Sequence, residues 1–388
     1  MMPERALWLL PGQDHPVFNS IAAFFGQSFL SFEALDYRAL YLRHGPGRCE
    51  SEVGREIERL SPDIVLYTQF PNSYAYLSPE WLWRQTERRT VVGLGFDDEM
   101  YFEQAKYHYQ ACNAVITTDL AGAEFLRQLG CRVQMAQLKN PAPVTTANIP
   151  ESVDVSFVGD MTKPGRREYV RALERAGIEV RDHGLGSRHG WLREEEALDL
   201  MLRSRICLNF TAVNPPAWIA RHDPLRARLG QIKGRPFDLA AARRFCLCEW
   251  SPCVAHWFEP GAEIGVFRDA DDLVEQTRRY LADPALRAAV AEAGHRRYQR
   301  DHAPQVQWPR VFKALLEGPR SLPAPPLLDG PLFHESMGRS RGVAVLHALR
   351  RGALLRAARE PFSRWSLSLD YWRGFAGGII DTVASHMR

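Results

Sequence analysis

Residues 153–177 read VDVSFVGDMTKPGRREYVRALERAG, and this stretch sets the architecture. Residues 153–160 form an apolar run of strand length that ends at Gly159. From Gly165 the spacing turns helical and closes on Gly177. A strand that breaks at glycine and runs straight into a helix is one unit of a βα winding. The pattern continues downstream. IEVRDHG, RICLNF (205–210), FCLCEW and EIGVF read as strands. REEEALDLMLRS, GRPFDLAAARR, DADDLVEQTRRYLAD and PALRAAVAEAGHRRYQRDH read as helices, the last with proline in its first turn, where a helix tolerates it. Upstream the same alternation is already present. RALWLLPG, DIVLYTQF (63–70), TVVGLGF (90–96), NAVITTD (113–119) and VQMAQLKN are strand-like, with HPVFNSIAAFFGQSF and LAGAEFLRQLG as helices, the latter capped by Gly130. Apolar strands alternating with helices predict parallel sheets covered on both faces.

A Pro-rich stretch, NPAPVTTANIPES (140–152), separates the two series, and a second, SLPAPPLLDGP (321–331), follows them. The expected organisation is therefore α/β, with two tandem Rossmann-like doubly wound domains facing across a cleft. They span 1–140 and 153–320, are joined by a linker at 141–152, and precede a helical tail at 321–388.

The chain has 388 residues, 45% hydrophobic and 24% charged, which is ordinary for a folded globular protein and excludes whole-chain disorder. No apolar run is long enough for a transmembrane helix, and the N-terminus lacks the basic flank and apolar core of a secretory signal. The formal net charge of +3 is unevenly spread. Residues 339–388 hold nine Arg, no Lys and three acids, for +6, which leaves the remaining 338 residues at −3. A mildly acidic body with no basic stripe argues against a nucleic-acid partner. The seven Cys are odd in number and irregularly spaced. That does not suit a disulfide framework and, with no paired CxxC, it does not suit zinc either, so a reducing cytoplasm is expected.

Open parallel sheets bind ligands beyond the carboxyl ends of their strands. On the second sheet this directs attention to GDMTKPG (159–165), where Gly159 and Asp160 follow a strand and precede a helix N-terminus that favours an anion. It is neither GxGxxG nor a Walker loop, and a plain tight turn is an equal reading of Gly159. In QIKGRPFD (231–238), Lys233 and Arg235 lie at a helix start, a suitable clamp for a diphosphate, and Asp238 could hold ribose hydroxyls. The ordinary alternative is a solvated helix start with an acid near its positive end. On the first sheet, Asp97 and Asp98 end a strand in GLGFDDEM and could serve as base, metal ligand or helix cap. His15 lies on the first strand-end loop of the same domain.

The stretch 234–300 resembles the C-terminal half of retaining-type GT-B glycosyltransferases, in particular the CgeB-like, spore-maturation group. Phe258, Glu259, Pro260, Gly261 and Glu263 follow the family's order, as do Arg287, Ala293, Gly294, Arg297 and His302. Arg235, Phe237 and Asp238 match the Arg, aromatic and acid that open its helix, and Asn209 matches its preceding strand. More loosely, residues 90–144 resemble the end of the acceptor domain. The resemblance implies transfer of a sugar from a nucleotide-diphosphate donor to an acceptor hydroxyl, with no cofactor and no obligatory metal. It implies a donor site at Gly159, Asp160, Asn209, Lys233, Arg235, Phe237 and Asp238, with Asp97, Asp98 and His15 toward the acceptor. Three departures stand out. Asp238 replaces a usual Glu, Arg243 replaces a helix-ending Gly, and Gly230 stands where related retaining enzymes have the first of two paired acids. The segment 211–231 reads as an insertion.

In the tail, Val345, Leu346, Leu349 and Ala353 form a helical stripe beside Arg350, Arg351 and Arg356, followed by Trp365, Tyr371, Trp372 and Phe375. This composition suits peripheral contact with the inner face of a membrane, or a helix that packs on the protein itself or on a second copy. Besides the transferase, a catalytically silent nucleotide-sugar-binding protein and a nucleotide-sugar epimerase of the same fold are the competing readings. The sugar, the base and the acceptor leave no trace in the sequence.

Overall fold

The structure, a computed structural model, describes residues 3–12, 16–69, 76–138, 149–222, 230–232, 234–317, 322–326, 328 and 330–386. The first sheet comprises β1 (Arg5–Leu10), β2 (Ser31–Asp36), β3 (Ile64–Gln69), β4 (Thr90–Gly95), β5 (Ala114–Thr117) and β6 (Val133–Met135). Between them run α1 (Pro16–Ser28), α2 (Tyr37–His44), α3 (Pro46–Leu60), α4 (Pro79–Thr86), α5 (Asp98–Tyr109) and α6 (Leu120–Gln128). The second sheet comprises β7 (Val153–Val158), β8 (Val180–His183), β9 (Ser204–Asn209), β10 (Cys246–Glu249) and β11 (Gly265–Phe267). Its segment of the chain carries α7 (Arg166–Arg175), α8 (Glu194–Arg203), α9 (Ala217–Ala220), α10 (Arg235–Ala241), α11 (Pro252–Trp257), α12 (Ala270–Ala282) and α13 (Pro284–Arg297). A π-helical turn at Tyr298–His302 leads into α14 (Pro304–Leu316), α15 (Pro331–Arg350), α16 (Leu354–Arg359) and α17 (Leu369–His386).

Both sheets are wholly parallel. Their strand orders are β2-β1-β3-β4-β5-β6 and β11-β10-β9-β7-β8. Each order reverses once, between β1 and β3 in the first sheet and between β7 and β9 in the second. That reversal is where a Rossmann-like sheet opens a crevice for a ligand. All residues of β3 and β5 are buried, as near-continuous apolar runs require. The breaks read from the sequence are those the chain uses. Gly130 and Gly177 adopt φ of +80° and +79° just past α6 and α7, a region that costs an L-residue about 1–2 kcal/mol. Arg243 takes φ +50° after α10, the conformation the usual glycine would supply without that cost.

By packing, the chain divides into two units. One is Met1–Ala136 with Ala217–Asp223 and Pro309–Arg388, and the other is Gln137–Pro216 with Pro224–Trp308. This corrects the linear reading in two places. The helices after Pro309 are not an appendage: Leu332, Val343 and Ala344 of α15 are buried in the core of the first unit with Leu7, Leu9, Tyr41 and Val65. The insertion-like segment also contributes there, with Trp218 and Ile219 of α9 in the same core. It is fastened by the Arg339 guanidinium, 4.4 Å from the Trp218 ring centre, and by an Arg221–Glu335 ion pair. The core of the second unit gathers around Val155, Phe157, Ile206, Leu208, Leu247 and Phe267. None of the seven cysteines forms a disulfide, and six of them are buried.

Candidate donor and acceptor sites

The second unit is built first, from the end of β7. Phe157 and Phe210, at the ends of β7 and β9, lie 4.7 Å apart between ring centres, so they floor the crevice where the strand order reverses. Two arginines settle on that floor. Arg235, the first residue of α10, donates to the Val158 carbonyl oxygen, with its guanidinium 5.2 Å from the Phe157 ring centre. Arg166, the first residue of α7, is buried. It lies 5.4 Å from Phe157 and 5.8 Å from Phe210, and it donates to the Asp160 carbonyl oxygen at 2.9 Å.

Neither guanidinium makes an ion pair among the described residues, and Arg166 Nε is buried without a hydrogen-bond partner. Burial, and then repulsion from Arg235, bring the Arg166 pKa down to about 10, and burial also lowers that of Arg235. Two like charges held together over apolar rings form a site that an anion would relieve.

The loop between β7 and α7 is fixed internally. The Gly159 N–H donates to the His183 carbonyl at 2.7 Å, so that amide is already committed. A side chain at Gly159 would press against Phe157 Cζ at 2.9 Å and Arg235 Nη2 at 3.3 Å, so glycine here makes room for the arginine. Asp160 Oδ1 accepts from Thr162 N at 2.8 Å and from Thr162 Oγ1 at 2.6 Å, which closes the turn before α7. Beside it opens a pocket of about 430 Å³ with Lys163, Arg167 and Arg171 on its wall.

Asp238 sits half-buried in the first turn of α10, close enough to Tyr298 that its charge helps raise that phenol to about 12, after burial. Two residues chosen from the sequence prove to be packing groups. Asn209 is buried, and its amide donates to Cys248 Sγ at 3.1 Å between β9 and β10. Phe237 is buried among Trp257, Phe258 and His302. Gly230 has a steric reason: a Cβ there would lie 2.5 Å from Ser251 Cβ and 2.9 Å from Thr211 Oγ1, so this backbone cannot carry the first paired acid. Lys233 lies outside the described residues.

In the first unit the loops after β1 and β3, which flank the reversal of that sheet, fall partly outside the described residues, and His15 lies there. The next strand end, after β4, is described. Asp97 occupies the cap position of α5 with φ +52°, strained for a non-glycine residue, and makes no side-chain capping bond. Asp98 points inward. It accepts from Tyr109 Oη at 2.8 Å and Thr117 Oγ1 at 2.5 Å, is buried, and lies so close to Gly95 that a Cβ there would be 1.8 Å from its Oδ2. Asp98 therefore ties α5 to β5 and does not face a ligand.

The residue that sequence reasoning missed is the next one. Glu99 is fully buried, and neither carboxylate oxygen has a hydrogen-bond partner among the described residues. Burial, reinforced first by Asp119 and then by Asp97 and Asp98, holds its carboxyl well above the usual range. The only sequence signal was that it completes a run of three acids.

A raised folded pKa means that Glu99 contributes stability fully below about pH 4.5, and that this is lost as pH rises toward the folded value. Glu99→Gln has no proton to lose. Its stability relative to the native chain should rise by up to about 1.4 kcal/mol per pH unit above that point. Urea denaturation of both proteins from acid to neutral pH measures this, and a constant difference would show that Glu99 ionises normally. Among the described residues no group of three His, Cys, Asp or Glu side chains is placed to hold a metal ion.

Two Rossmann-like sheets in one chain, with a basic crevice on the second, define the GT-B class of fold. Comparison with known proteins agrees with this. Residues 166–311 match the family described as glycosyl transferase-like. HepE of Anabaena, solved in complex with UDP and glucose, is similar at a TM-score of 0.54 and 11% identity over 79% of this chain and 98% of that one. Sucrose-phosphate synthase from Thermosynechococcus elongatus gives 0.56 and 11% over 80% and 99%. A glycosyltransferase from Rickettsia africae gives 0.53 and 9% over 81% and 99%. No curated protein sequence matches the chain.

Proposed function

We propose that the protein is a nucleotide-sugar-dependent glycosyltransferase of the CgeB-like branch that moves a hexosyl or related group to an acceptor hydroxyl. One observation carries this reading: the unpaired Arg166–Arg235 couple at the reversal point of the second sheet, inside the segment that matches the glycosyl transferase-like family. In the transfer, the bond between the anomeric carbon and the donor diphosphate breaks, and a bond to the acceptor oxygen forms. The diphosphate leaves with added negative charge, which the two guanidinium groups stabilise without a metal ion. Lys233 and the amides beyond Gly159 in the loop to α7 would extend that cradle, and Asp238 would receive the ribose hydroxyls. Asp97 would orient the acceptor hydroxyl or accept its proton. Retention of anomeric configuration is what the sequence resemblance implies. UDP is the first base to test, because HepE of Anabaena is solved with UDP and with UDP-glucose.

A thermal-shift series with UDP, GDP, TDP and inorganic phosphate checks the reading. A ligand at about 100 times its dissociation constant adds about 2.7 kcal/mol of stability, so one nucleoside diphosphate should raise the melting temperature by several degrees. No shift with any nucleoside diphosphate would remove the donor assignment.

A further inference from the structure

The corner between α15 and α17, residues 350–373, turns unusual surface outward. Leu354, Leu355, Phe362, Leu367 and Leu369 are 68%, 79%, 69%, 97% and 84% exposed. Their exposure is not slack in the chain, because the inner side of the corner is pinned. Arg356 donates from Nη1 and Nη2 to the carbonyls of Tyr41, Leu42 and Arg43. Glu360 is buried between Arg341 at 3.0 Å and Arg356 at 2.9 Å. Tyr371 Oη donates to the Pro361 carbonyl at 2.5 Å, and Trp372 Nε1 to the Ser366 carbonyl at 2.6 Å. With Ala357 and Tyr371 facing the core, the leucines have nowhere inward to go.

The exposed charges around them are mostly arginine, of which Arg364 is paired with Glu80 and Arg373 with Asp370. Arg350, Arg351, Arg359, Arg364 and Arg373 are exposed, while the two acids of the corner are withdrawn: Glu360 is buried, and half-buried Asp370 is paired with Arg373 at 2.7 Å. Arg351 and Arg359 make no ion pair among the described residues.

We propose that this corner docks on an anionic lipid surface, with the five apolar side chains entering the headgroup–acyl boundary and the arginines contacting lipid phosphates. A second copy of the chain, docking face to face, would set the same arginines against one another, whereas an anionic surface neutralises them. None of the described helices is long and apolar enough to cross a membrane, which agrees with a mode that lies on the bilayer.

The test is co-sedimentation of the full chain with vesicles of phosphatidylglycerol and phosphatidylcholine, against phosphatidylcholine alone, at low and high salt. The expected result is binding to the anionic vesicles that weakens with salt. It should fall at least about tenfold in the Leu354→Glu, Leu355→Glu double variant and in the Arg351→Glu, Arg359→Glu double variant. Both pairs are surface positions, and a thermal melt checks that the variants fold. Full-chain protein left in the supernatant, or equal binding by the variants, overturns the proposal. So does a dimer in analytical ultracentrifugation that the Leu354→Glu, Leu355→Glu change dissociates without any vesicle binding.

Discussion

Arg235→Ala is expected to lower turnover with the nucleotide-sugar donor by at least about 100-fold, or about 2.7 kcal/mol of transition-state stabilisation. The reason lies in how the crevice is charged. Arg235 and Arg166 face Phe157 from two different helices, and after burial the charge of Arg235 further lowers the pKa of Arg166. In the unliganded protein that repulsion is a cost. In the transition state it becomes an attraction, because the leaving diphosphate gains charge where both guanidinium groups are already desolvated. Removing Arg235 should therefore have opposite effects on stability and on function. The unliganded fold loses a hydrogen bond to the Val158 carbonyl but is relieved of a buried like charge, so its melting temperature should stay close to native. The increase in melting temperature caused by the nucleoside diphosphate should nearly vanish. Arg235→Lys keeps the charge and loses the planar fork, and should fall between the two. Calorimetric titration with the nucleoside diphosphate, beside a melt of the unliganded variant, reads both quantities. Wild-type affinity in Arg235→Ala would move the donor site elsewhere. A large loss of stability without ligand would make Arg235 a structural residue.

The two halves of this couple were unequally legible. Arg235 stands out in the sequence because it follows a glycine and opens a helix with proline and an acid. Arg166 also follows a glycine and opens a helix with an acid in its first turn, but no proline follows it and Arg167 stands beside it. It reads as one more cation on a solvated helix, and only the fold reveals that its side chain turns back onto Phe157 and Phe210, which come from separate strands. Glu99 was hidden for a related reason. Adjacent helix positions point about 100° apart, so three consecutive acids divide into a cap, a buried tie and a buried acid without a hydrogen-bond partner, and one dimension cannot assign which is which.

The strands were legible because full burial leaves a continuous apolar run. The residues that carried the family resemblance were legible because they hold one another. Glu263 Oε2 accepts from Glu259 N at 2.9 Å, Gly294 admits the Glu263 carbonyl where a Cβ would lie 2.4 Å away, and Arg297 and His302 both donate to the Trp257 carbonyl. That motif specifies a corner of the second unit. It identifies the fold strongly and the ligand weakly, which is why Asn209 and Phe237, chosen by the same resemblance, turned out to be packing residues. Which partners the last helices take was hidden by sequence distance. Nothing local to α15 says that its partners are Leu7 and Tyr41, far back in the chain.

Gly378→Ala is expected to destabilise the first unit by about 2–3 kcal/mol, although the same change at an exposed helix position would gain up to about 1 kcal/mol. α15 and α17 pack backbone to backbone along two pairs of glycines, each pair one turn apart. An added Cβ would lie 1.9 Å from the Tyr371 carbonyl oxygen at Gly338, and 2.3 Å from that of Phe375 at Gly342. At Gly374 it would lie 2.0 Å from the Glu335 carbonyl oxygen, and at Gly378 2.2 Å from that of Arg339. Each neighbour is main chain, so no side chain can swing aside and the helices must separate. Separation also strains the polar tie across the pair: Arg339, held on its own helix by the fully buried Glu335, reaches Asp381 of α17. Because α15 completes the core of the first unit, the loss should appear in its cooperative unfolding and not as local fraying. Gly342→Val should cost more, and Ala376→Leu, on an exposed position of α17, should stay within about 0.5 kcal/mol of native. Urea denaturation of the three variants measures this. A Gly378→Ala protein as stable as the native chain would show that α17 can shift away from α15.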